Sequence, residues 1–137
     1  MNYKEIKAKH EKVCNDLINQ YNVFFAFSNK QLEEGKEKIG ITDNKELTSI
    51  GAGGYMPKNQ FSDYLNAMDQ AHKAYKKELK AAKEAKDEAI IYELNNHECF
   101  YTGDIQPVKE HFKGIYTPTE IRAVYKKQYA KEKEFNN

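Results

Sequence analysis

The sequence predicts a mainly α fold with a small β element (α+β), formed by a single domain over residues 1–137. Apolar residues recur at spacings of three and four along several long stretches, which is the period of an amphipathic helix. Short apolar runs beside a glycine-rich segment predict a few short strands. A chain of this length, 39% hydrophobic, can bury one core. We therefore expect a long helical hairpin packed on N- and C-terminal helices and on a two- or three-stranded sheet.

The N-terminal part of the chain predicts a helix, a strand and a second helix. Apolar residues have helical spacing over residues 3–21, and the run Val23–Phe27 is typical of a short buried strand. Ser28 and Gln31 then form an S-x-x-Q capping box, in which two side chains accept hydrogen bonds from the first backbone N–H groups. We expect this second helix to end at Gly40, because glycine readily adopts the left-handed conformation that follows a helix.

The glycine-rich segment 51–54 predicts a tight turn between two further strands, at 47–50 and 55–56. Glycine adopts positive φ at little cost, which such turns require. The same segment could also present backbone N–H groups to a phosphate. It lacks, however, the third glycine of a dinucleotide-binding motif and the Lys-Ser/Thr pair of a P-loop. We therefore prefer the turn.

The stretch 59–98 predicts the helical hairpin. Propensity alone allows one continuous helix, but so long a helix is rare in a small domain. Asp87 can begin a new helix, so we expect two helices, 59–84 and 88–98. The apolar stripe of the first helix follows helical spacing through Phe61, Leu65, Met68, His72, Tyr75, Leu79 and Ala82.

The C-terminal part predicts a short helix and a long one. Asp104 and Pro107 are typical of the start of a helix, which we expect to end near Phe112. The segment Thr117–Glu120 has a capping-box pattern with proline at the first helical position. It predicts a helix that continues to about Glu134.

Composition excludes several classes of protein. The net charge is +1 and Arg122 is the only arginine, so we expect no direct sequence-specific binding of nucleic acid. The longest apolar run, Val23–Phe27, is far shorter than the roughly 20 residues that span a bilayer. We see no secretory signal, and free thiols or metal ligands are favoured for Cys14 and Cys99. We therefore expect a cytoplasmic protein.

Histidine and cysteine residues predict a zinc site. If the helix folds back near residues 84–86, His72 comes opposite His97, and Cys99 follows closely. Imidazole and thiolate are ligands that zinc prefers, so we predict a metal site formed by His72, His97 and Cys99. The candidates for the fourth ligand are Glu33, Glu34, His10 and a water. Cys14, a further residue of a metal-ligand type, lies one helical turn after His10. The alternative is that His72 is a hydrogen-bonded core residue and Cys99 a buried small hydrophobe.

Four stretches together resemble a family of small uncharacterised proteins found in bacteriophages and prophages of low-GC bacteria. They are Phe24–Gln31 followed by Glu33 and Glu34, the Gly51–Tyr55 turn, His72, and Tyr92–Cys99 running into Thr102–Asp104. The resemblance covers about residues 20–113 and implies an accessory phage protein that acts in the cytoplasm of the bacterial host.

The resemblance, the small size and the lack of a catalytic pattern lead to our expectation for function. We expect a non-enzymatic binding protein that interferes with a host defence system, with a host protein such as a CRISPR nuclease as its partner. It would then be an anti-CRISPR protein. The alternative is a small metal-containing binder or hydrolase of a nucleotide signal, which would use the glycine turn at 51–54 and the region of His72 and His97.

Overall fold

A computed structural model describes residues 1–135 of the chain. It is mainly helical with one small antiparallel sheet, which confirms the predicted fold class. Along the described residues the helices and strands are α1 (Tyr3–Gln20), β1 (Phe24–Phe25), α2 (Asn29–Ile39), β2 (Leu47–Gly51), β3 (Gly54–Pro57), α3 (Phe61–Ala81), α4 (Lys86–Asn96), α5 (Cys99–Thr102), α6 (Gln106–His111) and α7 (Pro118–Phe135).

The chain forms two compact units, each with its own buried residues. The central unit consists of Lys9–Lys73, and the terminal unit combines Met1–Ala8 with the chain from Ala74 onward. Helices α1 and α3 contribute residues to both units. That the whole chain behaves as a single domain remains a prediction. No helix among the described residues is long and apolar enough to cross a membrane.

The central unit contains the sheet, in which β3 lies between β1 and β2. Both pairings are antiparallel, and Tyr55 of β3 is opposite Phe24 on one side and Ser49 on the other. The strands predicted at 47–50 and 55–56 are therefore confirmed, each slightly longer than expected. The buried residues of this unit that pack together are Val23, Met56 and Tyr64.

The glycine segment forms the turn that the sequence predicts. Gly51, Ala52 and Gly53 have φ values of 88°, 52° and 79°, all in the left-handed region. The ring of Phe27 occupies the space that a Cβ at Gly53 would need. Phe27 itself is 77% exposed, so the expectation that Val23–Phe27 is a uniformly buried strand is wrong. Within that run β1 covers only Phe24–Phe25, and the Val23 N–H donates to the Ile18 carbonyl outside the sheet.

The beginning and end of α2 are as the sequence predicts. The Ser28 Oγ accepts a hydrogen bond from the Gln31 N–H at 3.2 Å, and the Gln31 side chain accepts one from the Phe27 N–H at 2.7 Å. Gly40 has φ of 76° and its N–H donates to carbonyl groups of the last turn. These contacts involve residues at most four positions apart, which explains why sequence alone identified them.

The helix predicted over 59–98 is broken, as expected, but the break differs in detail. α3 ends at Ala81, Ala82 is non-helical (φ −87°, ψ 72°), and a 3₁₀ turn over Lys83–Ala85 leads into α4. The predicted cap at Asp87 is not used, because α4 begins one residue earlier. The main packing partner of α4 is α7. Pairing of two hairpin arms is therefore not the principal packing of α4.

The stripe of α3 residues that the sequence predicts to face the core is wrong at two positions. Leu65 and His72 are exposed, whereas Tyr64 is buried in the central unit. Tyr75 and Leu79 contact the core of the terminal unit as expected. A helix makes one turn in 3.6 residues, so apolar residues at both 64 and 65 leave the phase of the buried stripe ambiguous in the sequence.

The C-terminal part forms two short helices and one long helix. The helix predicted over 104–112 is confirmed as α6, and the Asp104 side chain accepts a hydrogen bond from the Gln106 N–H at 2.9 Å. α5, which the sequence did not predict, precedes it and is followed by Gly103 with φ of 77°. The capping box of α7 is confirmed: Thr117 Oγ1 accepts from the Glu120 N–H at 3.1 Å, and Glu120 Oε1 accepts from the Thr117 N–H at 3.0 Å. The fully buried residues of the terminal unit include Tyr3, Ile6, Leu79, Ala89, Ile90, Leu94, Cys99, Val108, Phe112 and Ile121.

Candidate metal centre

A buried carboxylate lies among the packed helices of the terminal unit. Glu93 projects from α4 and its side chain is 1% exposed. The Tyr3 hydroxyl and the Lys7 ammonium each donate a hydrogen bond to Glu93 Oε1, both at 2.8 Å. A buried carboxylate is costly unless it is paired and hydrogen-bonded, and these two donors from α1 meet that requirement.

Two imidazoles approach the same carboxylate. His97 lies one helical turn after Glu93, and its Nε2 is 3.6 Å from Glu93 Oε2. His111, at the end of α6, places its Nε2 3.8 Å from Glu93 Oε1. One ligand atom from each of these three residues lies within 4.8 Å of the other two. The terminal unit therefore contains a group of three side chains that could hold a metal ion.

The separations suit an ion better than direct hydrogen bonds. Distances of 3.6 and 3.8 Å exceed the usual N–H···O range of about 2.7–3.2 Å. Two ligand atoms that each lie about 2.0–2.1 Å from a tetrahedral metal are roughly 3.4 Å apart. With one ligand atom from each residue the three atoms lie within 4.8 Å of one another, so the side chains would have to move closer together to fill three positions of a four-coordinate site.

The protonation states also suit a metal ion. Burial by itself would raise the pKa of the Glu93 carboxyl, but the hydrogen bonds from Lys7 and Tyr3 and the charges of His111 and Lys7 outweigh it and lower that pKa. Burial lowers the pKa of His111 despite the opposing effect of Glu93. At neutral pH the group therefore offers a charged carboxylate and a neutral imidazole at His111, which are the forms that bind metals.

Lys7 and Tyr3 hold the carboxylate in place. Both donate to Oε1, so Oε2 is the oxygen turned toward His97. The Lys7 ammonium also lies 4.4 Å from the centroid of the Tyr92 ring, a cation–π contact that restrains it. Groups that orient a ligand in this way commonly determine how tightly a metal site binds.

Of the three predicted ligands, the structure places only His97 in this group. His72 is exposed in the central unit, where its ring centroid is 5.0 Å from that of His10. His10 Nε2 is in turn 3.6 Å from Cys14 Sγ. Cys99 is fully buried in the core of the terminal unit, and burial raises the pKa of its thiol. In the part of the chain that the structure describes, the possible ligands that converge are Glu93, His97 and His111, so His97 joins this group and His72 and Cys99 do not.

Sequence reasoning missed Glu93 and His111. The spacing of Glu93 and His97 by four residues on a helix was a usable signal, because such residues lie on one helix face. His111 carried no comparable signal. It reaches the group because α6 packs against α4.

Comparison with known proteins identifies the family. A family model described as a family of unknown function, DUF7659, matches residues 2–132, nearly the whole chain. The chain belongs to the DUF7659 family. Searches of curated proteins and of solved structures gave no match for this DUF7659 chain.

Proposed function

We propose that this DUF7659 protein binds a zinc ion through Glu93, His97 and His111. The observation that carries the proposal is the convergence of these three ligand atoms within 4.8 Å of one another. The carboxylate among them is already oriented by Tyr3 and Lys7. Two imidazoles and one carboxylate form a common set of protein ligands for zinc.

The fourth coordination position would be filled by water. The side chains of His97 and His111 are 34% and 33% exposed, so solvent reaches the edge of the group opposite the buried Glu93. Two histidines and one carboxylate also suit Fe(II), which prefers more open positions. We favour zinc because the three ligand atoms, spread over up to 4.8 Å, are nearer to the separation of tetrahedral ligands than to the shorter separation of neighbouring octahedral ligands.

The ion would serve to stabilise the terminal unit. It would join α4, which supplies Glu93 and His97, to α6, which supplies His111. α6 has only six residues, and so short a helix has little stability of its own. A metal that binds the folded but not the unfolded chain adds its binding free energy to folding.

Metal analysis of protein purified without a histidine tag tests the proposal. We expect about one zinc per chain, and chelation should lower the melting temperature by about 5 °C. His97→Ala and His111→Ala should each lose the zinc. His72→Ala is the matched control, because His72 is an exposed histidine outside the group, and it should retain the metal. The site would be contradicted if the wild-type protein contained no zinc after dialysis against zinc. It would also be contradicted if His97→Ala contained as much zinc as the wild type. Iron in place of zinc would change the identity of the metal but not the proposed ligand residues.

We propose as a second function that the protein inhibits a host defence system, with a CRISPR nuclease as target. The proposal rests on the resemblance to phage accessory proteins, the small size of the chain and the lack of a catalytic pattern. Tyr101, which is 92% exposed, supplies a contact residue on the terminal unit. It lines a cavity of about 360 Å³ together with Asn95, Glu98 and Phe100. Exposed tyrosines are frequent hot spots of protein interfaces.

Cleavage of target DNA by a purified CRISPR nuclease tests this second function. We expect the wild-type protein to inhibit cleavage and Tyr101→Ala to weaken inhibition about tenfold, the loss typical of an interface hot spot. Val13→Ala, which shortens another exposed apolar side chain, is the control and should inhibit normally. Undiminished cleavage, together with unchanged phage plating on defended hosts, would rule the function out.

A further inference from the structure

Three residues with metal-ligand side chains lie together in the central unit, apart from the candidate metal centre. His10 and Cys14 are one helical turn apart on α1, and His72 is on α3. His10 Nε2 is 3.6 Å from Cys14 Sγ. The ring centroids of His10 and His72 are 5.0 Å apart. His10 therefore contacts both of the other residues, and the group combines two imidazoles with one thiol.

The contact between His10 and Cys14 has the length expected for two ligands of one metal ion. Sulfur and nitrogen ligands about 2.3 and 2.0 Å from a metal are roughly 3.6 Å apart when they meet at an angle of about 115°. A linear arrangement of the same two ligands would separate them by roughly 4.3 Å. The observed 3.6 Å therefore fits a site that has room for a third ligand.

His72 is the side chain placed to be that third ligand, because its ring already lies beside His10. Among the described residues, however, the three ligand atoms are not grouped as closely as those of the candidate metal centre. The His72 ring would therefore have to turn toward Cys14. His72 is exposed, so this rotation leaves no cavity in the core.

His10 and Cys14 are both uncharged at neutral pH. Burial and the charge of His72 lower the pKa of His10, against the opposing effect of Glu11. Burial, and after it the charge of Glu11, raises the pKa of the Cys14 thiol. The neutral imidazole can bind a metal directly, whereas the thiol must first release its proton. A cation with a strong preference for sulfur is the kind that displaces this proton.

We propose that Cys14, His10 and His72 form a binding site for copper(I). Copper(I) is a soft ion that binds thiolate and imidazole, and it accepts three ligands, whereas zinc prefers four. The thiol proton of Cys14 passes to solvent, and no electron is transferred because the copper enters as copper(I). The site shares no residue with the zinc site, so either proposal can fail without the other.

Titration of copper(I) into the full chain tests this inference. The protein is first saturated with zinc and kept free of oxygen, and bicinchoninate competes for the copper(I). We expect uptake of about one copper(I) per chain and an ultraviolet charge-transfer band from the thiolate. The zinc ligands cannot give this band, because they include no sulfur. Absence of uptake or of the band would overturn the proposal, and displacement of copper(I) by an equal concentration of zinc would overturn the choice of ion.

Four variants identify the ligands. Cys14→Ser should abolish the band. His10→Ala and His72→Ala should each lower the affinity at least about tenfold, because even groups that only orient a metal ligand are worth about 10–100-fold. Cys99→Ala is the matched control: it removes the other thiol, which is fully buried in the terminal unit, and should keep the band. An unchanged band in Cys14→Ser, its loss in Cys99→Ala, or wild-type affinity in His72→Ala would contradict the proposed ligands.

Alkylation of the wild-type chain gives a second readout that needs no substitution. Copper(I) should slow the reaction of Cys14 with iodoacetamide, measured by mass spectrometry of the resulting peptides. The reaction of the buried Cys99 should not change. Equal rates for Cys14 with and without copper(I) would overturn the proposal.

Discussion

Replacing Glu93 with glutamine is expected to lower the free energy of unfolding by about 3 kcal/mol, measured by urea denaturation in the presence of a chelator. The substitution leaves the size of the side chain unchanged and removes its charge. Lys7 would then lie beside a neutral amide, with its ammonium still largely enclosed. Breaking a buried ion pair costs more than losing an exposed one, because the remaining charge stays poorly solvated.

The pH dependence separates this cause from general damage to the core. Hydrogen bonds from Lys7 and Tyr3 lower the pKa of Glu93 below its ordinary value of 4.5. The unfolded chain therefore binds the proton first as pH falls, so the contribution of the ionised group is present above pH 4.5 and is lost below it. The difference between wild type and Glu93→Gln should shrink in acid.

Asp69→Asn is the matched control for Glu93→Gln. Asp69 pairs with Lys73 at 2.9 Å on an exposed face of α3, where water screens both charges. We expect a change in the free energy of unfolding of less than about 0.5 kcal/mol. Equal effects of the two substitutions, or a Glu93→Gln deficit that persists undiminished in acid, would show that the buried ion pair does not stabilise the fold.

Replacing Phe112 with alanine is expected to lower the free energy of unfolding by about 4 kcal/mol. Phe112 is fully buried, and its ring contacts Tyr3 at 6.2 Å and Tyr116 at 5.0 Å between centroids. Removing the ring leaves a cavity where the first helix, α6 and the start of α7 meet in the terminal unit. Such a cavity collapses only partly, so both burial and packing are lost.

Urea denaturation of Phe112→Ala and Tyr101→Ala checks this expectation. Tyr101 is an aromatic residue of the same unit whose side chain is almost fully exposed, so its removal should change the free energy of unfolding by less than about 0.5 kcal/mol. A loss of less than about 1 kcal/mol for Phe112→Ala would mean that the ring does not hold these helices together.

The short-range features of the fold could be predicted from the sequence. The capping boxes at Ser28 and Thr117, the helix end at Gly40 and the glycine turn all depend on contacts between residues at most four positions apart. The sequence also predicted a break after the long third helix. Its cause is not a local breaker, because the segment contains no glycine or proline. Ala85 and Ala89 are small enough to be fully buried there.

The sequence by itself determined that this chain is mainly helical, where most helices begin and end, and that His97 belongs to a set of metal-ligand residue types. Only the tertiary structure decided which residues join His97. Glu93 becomes a ligand candidate because Tyr3 and Lys7, about 90 residues earlier, supply the hydrogen bonds that keep a buried carboxylate charged. His111 arrives across two short helices, whereas Cys99 turns into the core. Long-range packing sets these positions. The spacing of residues along the chain does not encode that packing.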